Sequence, residues 1–347
     1  MKQFLLFLLL LSLSARVFSQ DSTKNNVVSL TGFVDFYYQY DFANPGNKER
    51  PEFLYNYKRH NEFNINLALI KAAYTNNKVR ANVGLMVGNY PQYNLAAELP
   101  LMQHIYEANA GYAFSDKISI DAGIFSSHIG LESAISKDNW NLSRSIIAEN
   151  TPYYETGIKL NYVPTEKWTA SFLLLNGWQN IKETNSGKAI GTQLQFKPNE
   201  KWLLNSSTFI GNEKPDSAKQ LRLFHNFYTT YAITKKWNAA FLFDIGKEKH
   251  SNWFGTALLL QHSFTKKLNT ACRIEYYKDK KGIIVSINQA SGFQTTGFSW
   301  NIDYCPAKNI YFRTEVRYFH SANAIFLTDG LPKKNNSSVL GSIAVAL

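Results

Sequence analysis

The stretch Thr156–Trp178, TGIKLNYVPTEKWTASFLLLNGW, decides the fold. Before its turn, Ile158, Leu160 and Tyr162 alternate with Gly157, Lys159 and Asn161. After Pro164-Thr165-Glu166-Lys167 the alternation resumes with Trp168, Ala170, Phe172 and Leu174. Successive side chains of a strand point to opposite faces, so the stretch predicts a hairpin with one apolar and one polar face. In a soluble sandwich the apolar face would look inward; in lipid it would look outward.

The same grammar recurs along the chain. Seven short polar connections end at or near a Lys and lead straight into an apolar residue: TNNKV (Val79), SDKI (Ile118), PTEKW (Trp168), NEKW (Trp202), TKKW (Trp237), TKKL (Leu268) and PAKNI (Ile310). Each joins two strands. With one strand around Leu30–Tyr40 and one around Ser338–Leu347, seven pairs become sixteen strands. Fourteen and eighteen are the neighbouring even counts. Longer connections alternate with the short ones, near 41–60, 89–102, 126–152, 179–188, 212–220, 247–251, 279–291 and 320–336. Short turns on one side and long loops on the other are the asymmetry of an outer-membrane barrel.

The tryptophans orient the two faces. Trp168 and Trp178 stand ten residues apart, about 33 Å along a strand, or about 25 Å of height at a tilt near 40°. That matches the spacing of two aromatic girdles. Trp202 and Trp237 follow their turns as Trp168 does, so Trp168, Trp178, Trp202 and Trp237 are assigned to the girdles. The expected fold is therefore an all-β, transmembrane, antiparallel up-and-down barrel with apolar residues on lipid. Two rows fit poorly. Lys71 shares parity with Phe63, Ile65, Leu67 and Leu69, which implies snorkelling or a bulge. The row Trp202, Leu204, Ser206, Thr208, Ile210 is weakly apolar, and either row could mark a subunit contact.

The N-terminus gives the compartment. Lys2 precedes an apolar run from Phe4 to Leu13, and Val17 and Ser19 sit at −3 and −1 of a cut before Gln20. This is the pattern of a secretory signal peptide over residues 1–19, leaving 20–347 as a single barrel domain. Losing Lys2 and Arg16 from 37 basic residues leaves 35 against 26 acidic, a net +9. Cys272 is expected to face outward and Cys305 inward, so no disulfide is expected.

Several long segments carry a resemblance: ERPEFLYNYKRHNEFNINLALIKAAY from Glu49, IYEANAGY from Ile105, DAGIFSSHIGLESAISKDNWNLSRSIIAENTPYYETGIKL from Asp121 and LNGWQNI from Leu175. With them the chain resembles the OmpL-like β-barrel porin family over nearly its whole mature length. The resemblance implies an outer-membrane barrel that passes small hydrophilic solutes and has no catalytic residues to transfer. The chain ends in AVAL, so Leu347 replaces the aromatic residue that closes many barrels.

Outward apolar rows leave charges of opposite parity in the lumen. Arg80, Lys159, Arg222, Arg273, Arg313 and Arg317 stand against Asp35, Glu107, Asp121, Glu155, Asp244, Glu275, Asp303 and Glu315. The lumen is near neutral by count, and the basic excess falls in turns and loops, so nucleic acid is not an expected partner. Arg273 and Glu275, Asp303, and Arg313, Glu315 and Arg317 lie on three successive strands and form one charged patch. It reads either as half of a transverse field at a constriction or as a ladder of cross-strand ion pairs. The third external loop, Ser126–Pro152, is the longest and carries Glu132, Lys137, Asp138 and Arg144, together with His128, Trp140 and Glu149. It could fold into the barrel and narrow the pore, or pack over its mouth or against a neighbouring subunit.

The expected partners are outer-membrane lipid and lipopolysaccharide, the barrel-assembly machinery, small hydrophilic solutes and a second copy of the chain. No cofactor or metal is implied: no P-loop, GxGxxG, zinc spacing or EF-hand occurs. A chain this short cannot supply ~22 strands and a plug. A structural anchor or surface receptor is the alternative role. A barrel esterase or phospholipase would have to draw on Ser126, Ser127, His128 and Ser133, without a GxSxG motif.

Overall fold

A computed structural model describes residues 26–287 and 292–347; the signal-peptide reading lies outside these residues. Sixteen strands close a barrel. They are β1 (Asn26–Asp41), β2 (Phe63–Asn76), β3 (Val79–Val87), β4 (Ile105–Ala113), β5 (Ile118–Ser126), β6 (Tyr154–Thr165), β7 (Trp168–Leu175) and β8 (Ala189–Phe196). They continue as β9 (Trp202–Asn212), β10 (Leu221–Ala232), β11 (Trp237–Glu248), β12 (Ser251–Ser263), β13 (Leu268–Asp279), β14 (Phe293–Ala307) and β15 (Ile310–Ser321). A small hairpin, β16 (Phe326–Thr328) with β17 (Leu331–Lys333), rides on the last external loop. β18 (Asn335–Ala346) then pairs with both β15 and β1 and closes the ring. Every neighbouring pair is antiparallel; the barrel strands pair in chain order, with β16 and β17 left out of the ring, and β1 meets β18 at the closing seam. Closure leaves no edge whose amides would face lipid unpaired.

The faces are inverted relative to a soluble protein. Val83, Leu85, Ile158, Leu160, Phe172, Leu174, Phe241, Ile245, Phe312 and Val316 are exposed, while Asp35, Glu155, Arg273 and Glu315 are buried. The Lys71 anomaly is a bulge. Between Asp35 and Phe36 the pairing slips from Leu67 to Ile65, so Asn66 is extra. Phe63 and Ile65 therefore face lipid, while Leu67 and Leu69 face the lumen and Lys71 meets Glu107 there at 2.5 Å.

Three expectations need correction. The stretch 247–251 is no long loop: β11 and β12 run on to a two-residue turn at Lys249-His250, with Lys249 at φ 55°. Trp178 does not join the girdle. β7 ends at Leu175, the chain turns inward over the rim, and Trp178 packs edge-on against Phe209 and Phe224 at 4.9 and 4.8 Å. Trp168, Trp202 and Trp237 do lie at the turn end of the outer surface, each against a ring of the neighbouring strand: Phe196, Tyr231 and His262. Finally, the inner face is not uniformly polar. Leu173, Leu175, Phe209, Leu242, Trp253 and Leu259 point inward and are buried. Apolar runs such as Phe172–Leu175 and Ala257–Leu260 break the alternation because their outer residues face lipid while their inner residues are buried in an apolar cluster inside the barrel. Both cysteines are free and partly exposed.

Val83 is exposed at the middle of β3, and Asn82 beside it turns inward to Asn109 at 2.9 Å. Val83→Arg is expected to cost about 2–4 kcal/mol near the bilayer midplane, and Asn82→Arg much less. Urea titration of the barrel in lipid vesicles measures both; equal stability of the two variants would contradict the assigned faces.

Candidate functional site

What fills the lumen is the segment 127–153 between β5 and β6, the third external loop, with its short helix α2 (Ile146–Glu149). A second short helix, α1 (Asn89–Asn94), lies in the external connection after β3. A loop can enter a barrel only if its own amides and carbonyls find partners there. The wall supplies them strand by strand.

The loop starts at His128, whose imidazole is buried. Its Nδ1 meets the Glu155 carboxylate at 2.8 Å and its Nε2 meets the Thr208 carbonyl at 2.9 Å. Gly191 makes room, since a Cβ there would lie 2.8 Å from His128 Cε1. Next the Gly130 amide donates to Asn226 on β10. Glu132 then reaches Arg273 on β13 at 3.3 Å. On the far side Ser136 donates to Asp35 on β1 at 2.8 Å, and its carbonyl accepts from Arg313 on β15. The chain returns past Asn141, which donates to Asn301 on β14 at 2.9 Å. The Ser143 amide donates to Glu315 at 2.7 Å and the Ile146 amide to Glu275 at 2.6 Å.

Register explains the dock. Arg273, Ser299 and Arg317 are opposite one another across β13, β14 and β15, so a serine separates two guanidiniums. Glu275 faces Gly297, and Asp303 faces Arg313. A Cβ on Gly297 would lie 2.6 Å from Glu275 Oε1, so only glycine leaves that carboxylate free to reach Arg317. Arg273 contacts Glu132, Glu275 and Glu315 at 3.3, 3.5 and 3.7 Å, and donates to the Ser143 carbonyl at 2.7 Å. Arg317 meets Glu275 at 2.6 Å and Ser143 Oγ at 3.0 Å. Arg313 grips Asp303 through two nitrogens, at 2.8 and 3.0 Å, and donates to the carbonyls of Asn139 and Trp140.

The six wall residues named from sequence are thus brought together, and all six are buried under the loop. Of the four loop residues, only Glu132 joins them. Lys137 and Asp138 pair with each other at 2.8 Å, half-exposed. Arg144 stacks over the Tyr153 ring at 3.6 Å and donates to the Ala148 carbonyl. The apolar side of the loop completes the seat: Ile129, Ile146 and Ile147 share one buried cluster with Leu173, Phe209, Tyr228, Leu242 and Leu259.

Sequence reasoning missed the first external loop, 42–62. It lies over the third: Asn56 and the Tyr55 amide donate to Glu149, and Tyr57 donates to Asp35 at 2.6 Å. The signal available in the sequence was its density of Tyr and Asn, with Tyr55, Asn56 and Tyr57 in a row. Trp178 also belongs to this outer assembly. Its amide and Asn180 donate to Glu213, and burial pushes that carboxyl up to about 7.

A porin family model matches residues 27–347, under the description beta-barrel porin-2, OmpL-like. The chain belongs to this family. The resemblance read from the sequence holds over the whole described barrel, and the protein is an outer-membrane β-barrel channel of porin type. Among curated proteins no sequence relative matches. Solved structures match in fold. The anion-selective porin from Comamonas acidovorans shares 9% identity at a TM-score of 0.62, covering 93% of this chain and 100% of that one. The outer membrane channel DcaP of Acinetobacter baumannii shares 11% at 0.62, covering 93% and 97%. OmpT of Vibrio cholerae shares 8% at 0.60, covering 93% and 98%.

Removing one partner of a buried charge cluster strands the others and costs about 3–5 kcal/mol, whereas an exposed pair is worth about 0–1 kcal/mol. Arg273→Met should therefore unseat the third loop, raising amide exchange across 127–153 while the barrel strands stay protected. Lys137→Met should leave exchange unchanged. Equal protection of the loop in both variants would contradict the dock.

Proposed function

We propose that the barrel is a diffusion channel for small hydrophilic solutes whose width is set by the third loop rather than by the strand count. A sixteen-strand barrel is wide enough to hold water unless something narrows it. The observation that carries the reading is the seat of 127–153 inside the lumen, fixed to β1, β10, β13, β14 and β15. The charged patch then acts mainly by holding the loop, because its members are buried beneath it. On the opposite wall Arg80, Lys159, Asn82, Asn109 and Asn161 stay half-exposed and polar, which suits a wetted path.

A catalytic role is not favoured. Both His128 nitrogens are engaged by Glu155 and the Thr208 carbonyl, and Ser127 donates to Glu155 rather than to the imidazole. Export through a leader at 1–19 and assembly of 20–347 as one barrel in the outer membrane fit the family and the strand pattern. A contact with a second copy fits the outer face of β8–β10. There Thr192 meets Thr208 at 2.6 Å and Ser206 meets His225 at 2.9 Å, on a surface that otherwise faces lipid.

Deleting residues 133–145 leaves the strand ladder intact and opens Arg273, Glu275, Glu315 and Arg317 to water. Single-channel recording in planar bilayers should give discrete steps for the native protein and several-fold larger steps for the deletion. Equal steps would remove the loop as the constriction. Silence from both would remove the channel reading.

A further inference from the structure

A cavity of ≈ 350 Å³ lies at the outer mouth, between the first external loop, the segment 285–287 and the connection carrying β16 and β17. Its size falls at the low end of small-molecule pockets, about 300–1,000 Å³. Phe53, Val285 and Phe326 line it and are buried, so one part is apolar. The other part holds Asp41, Arg50 and Asn336, which are 0%, 3% and 4% exposed.

These three polar side chains are incompletely satisfied. Arg50 makes no ion pair within 4.0 Å among the described residues. Among the described residues its one side-chain hydrogen bond is a 3.5 Å contact with Ser338 Oγ, and its Nε has no partner. Asp41 accepts from the Ala43 amide and from Asn336 through Oδ1, but its Oδ2 has no partner. Asn336 Oδ1 has none either. Gln39, buried next to them on β1, leaves both amide atoms unpartnered, so it does not supply the missing contacts. A buried guanidinium without a directly paired anion, and a buried carboxylate with one oxygen left without a donor, are each costly to keep.

The unmet atoms specify their complement. An unpartnered donor on Arg50 calls for an anion, and unpartnered acceptors on Asp41 and Asn336 call for a cationic donor. A plain anion would meet Asp41 and the rim carboxylate Glu52; a plain cation would meet Arg50. We propose that this cavity binds a free α-amino acid with an aliphatic side chain: its carboxylate on Arg50, its ammonium on Asp41 and Asn336, its side chain against Phe53, Val285 and Phe326. A solute subsite at the mouth presupposes the diffusion channel proposed above, and it names the class of solute that the mouth collects.

Isothermal titration of the folded barrel in detergent with L-leucine tests this. L-leucine should bind, and 4-methylpentanoate and 3-methylbutylamine, each lacking one charged group, should bind at least tenfold more weakly. Arg50→Gln and Asp41→Asn should each weaken L-leucine at least tenfold, with the unboiled, fast-migrating gel band of the folded barrel retained. Absence of L-leucine binding to the native barrel, unchanged affinity in both variants, or 4-methylpentanoate binding as well as L-leucine would overturn the assignment. Conductance of the same preparations separates the failures. Discrete steps without L-leucine binding sink the subsite alone, whereas no steps sink the channel.

Discussion

Arg273 is the interaction on which the rest depends. It is fully buried, and three carboxylates surround it: Glu275 and Glu315 from the wall and Glu132 from the third loop. A guanidinium presents five donors in a fixed fork, so one residue can tie wall to loop in several directions at once. A lysine would offer a point charge and lose that geometry. The wall carboxylates are committed as well, each accepting a loop amide in addition to its ion pair. The loop's backbone is thereby satisfied at depth, which is the condition for irregular chain inside a membrane barrel.

Buried ion clusters are not a cheap source of stability, because desolvation offsets most of the attraction. What this one supplies is position. Loop residues 132, 143 and 146 each meet a different wall carboxylate or guanidinium, so a shifted loop would strand several charges together. The apolar contacts of Ile129, Ile146 and Ile147 with inward side chains of the wall add non-directional burial. Charge fixes the place of the loop and apolar area holds it there. The first loop then covers it through Glu149 and Asp35.

Much of this was legible in the sequence because a barrel writes its architecture locally. Period-2 rows and Lys-ended turns gave the strands, their number and the lipid-facing side. The charges at Arg273, Glu275, Asp303, Arg313, Glu315 and Arg317 could be placed on neighbouring strands by parity alone. Contacts that depend on non-local packing were not legible. Trp178 satisfied a spacing rule, yet the chain leaves the strand at Asn176 and the ring packs inward. Lys71 looked outward until the extra residue at Asn66 reversed the face. Burial of the inward Leu173 and Leu259 was not anticipated, because nothing local announces that a distant loop will cover them. Likewise the loop's charged residues were visible, but only the fold shows that Glu132 reaches Arg273 while Lys137 and Asp138 pair with each other.

Cysteine accessibility tests the seat of the loop most directly. Ser143, in the loop itself, is 2% exposed where it docks on the wall, and Lys249 is exposed at the tip of the tight external turn. In a Cys272→Ser, Cys305→Ser background, Ser143→Cys should stay unlabelled by a bulky polyethylene-glycol maleimide in the folded barrel, while Lys249→Cys should react fully. Labelling of Ser143→Cys as fast as Lys249→Cys would place the loop outside the lumen and contradict the account.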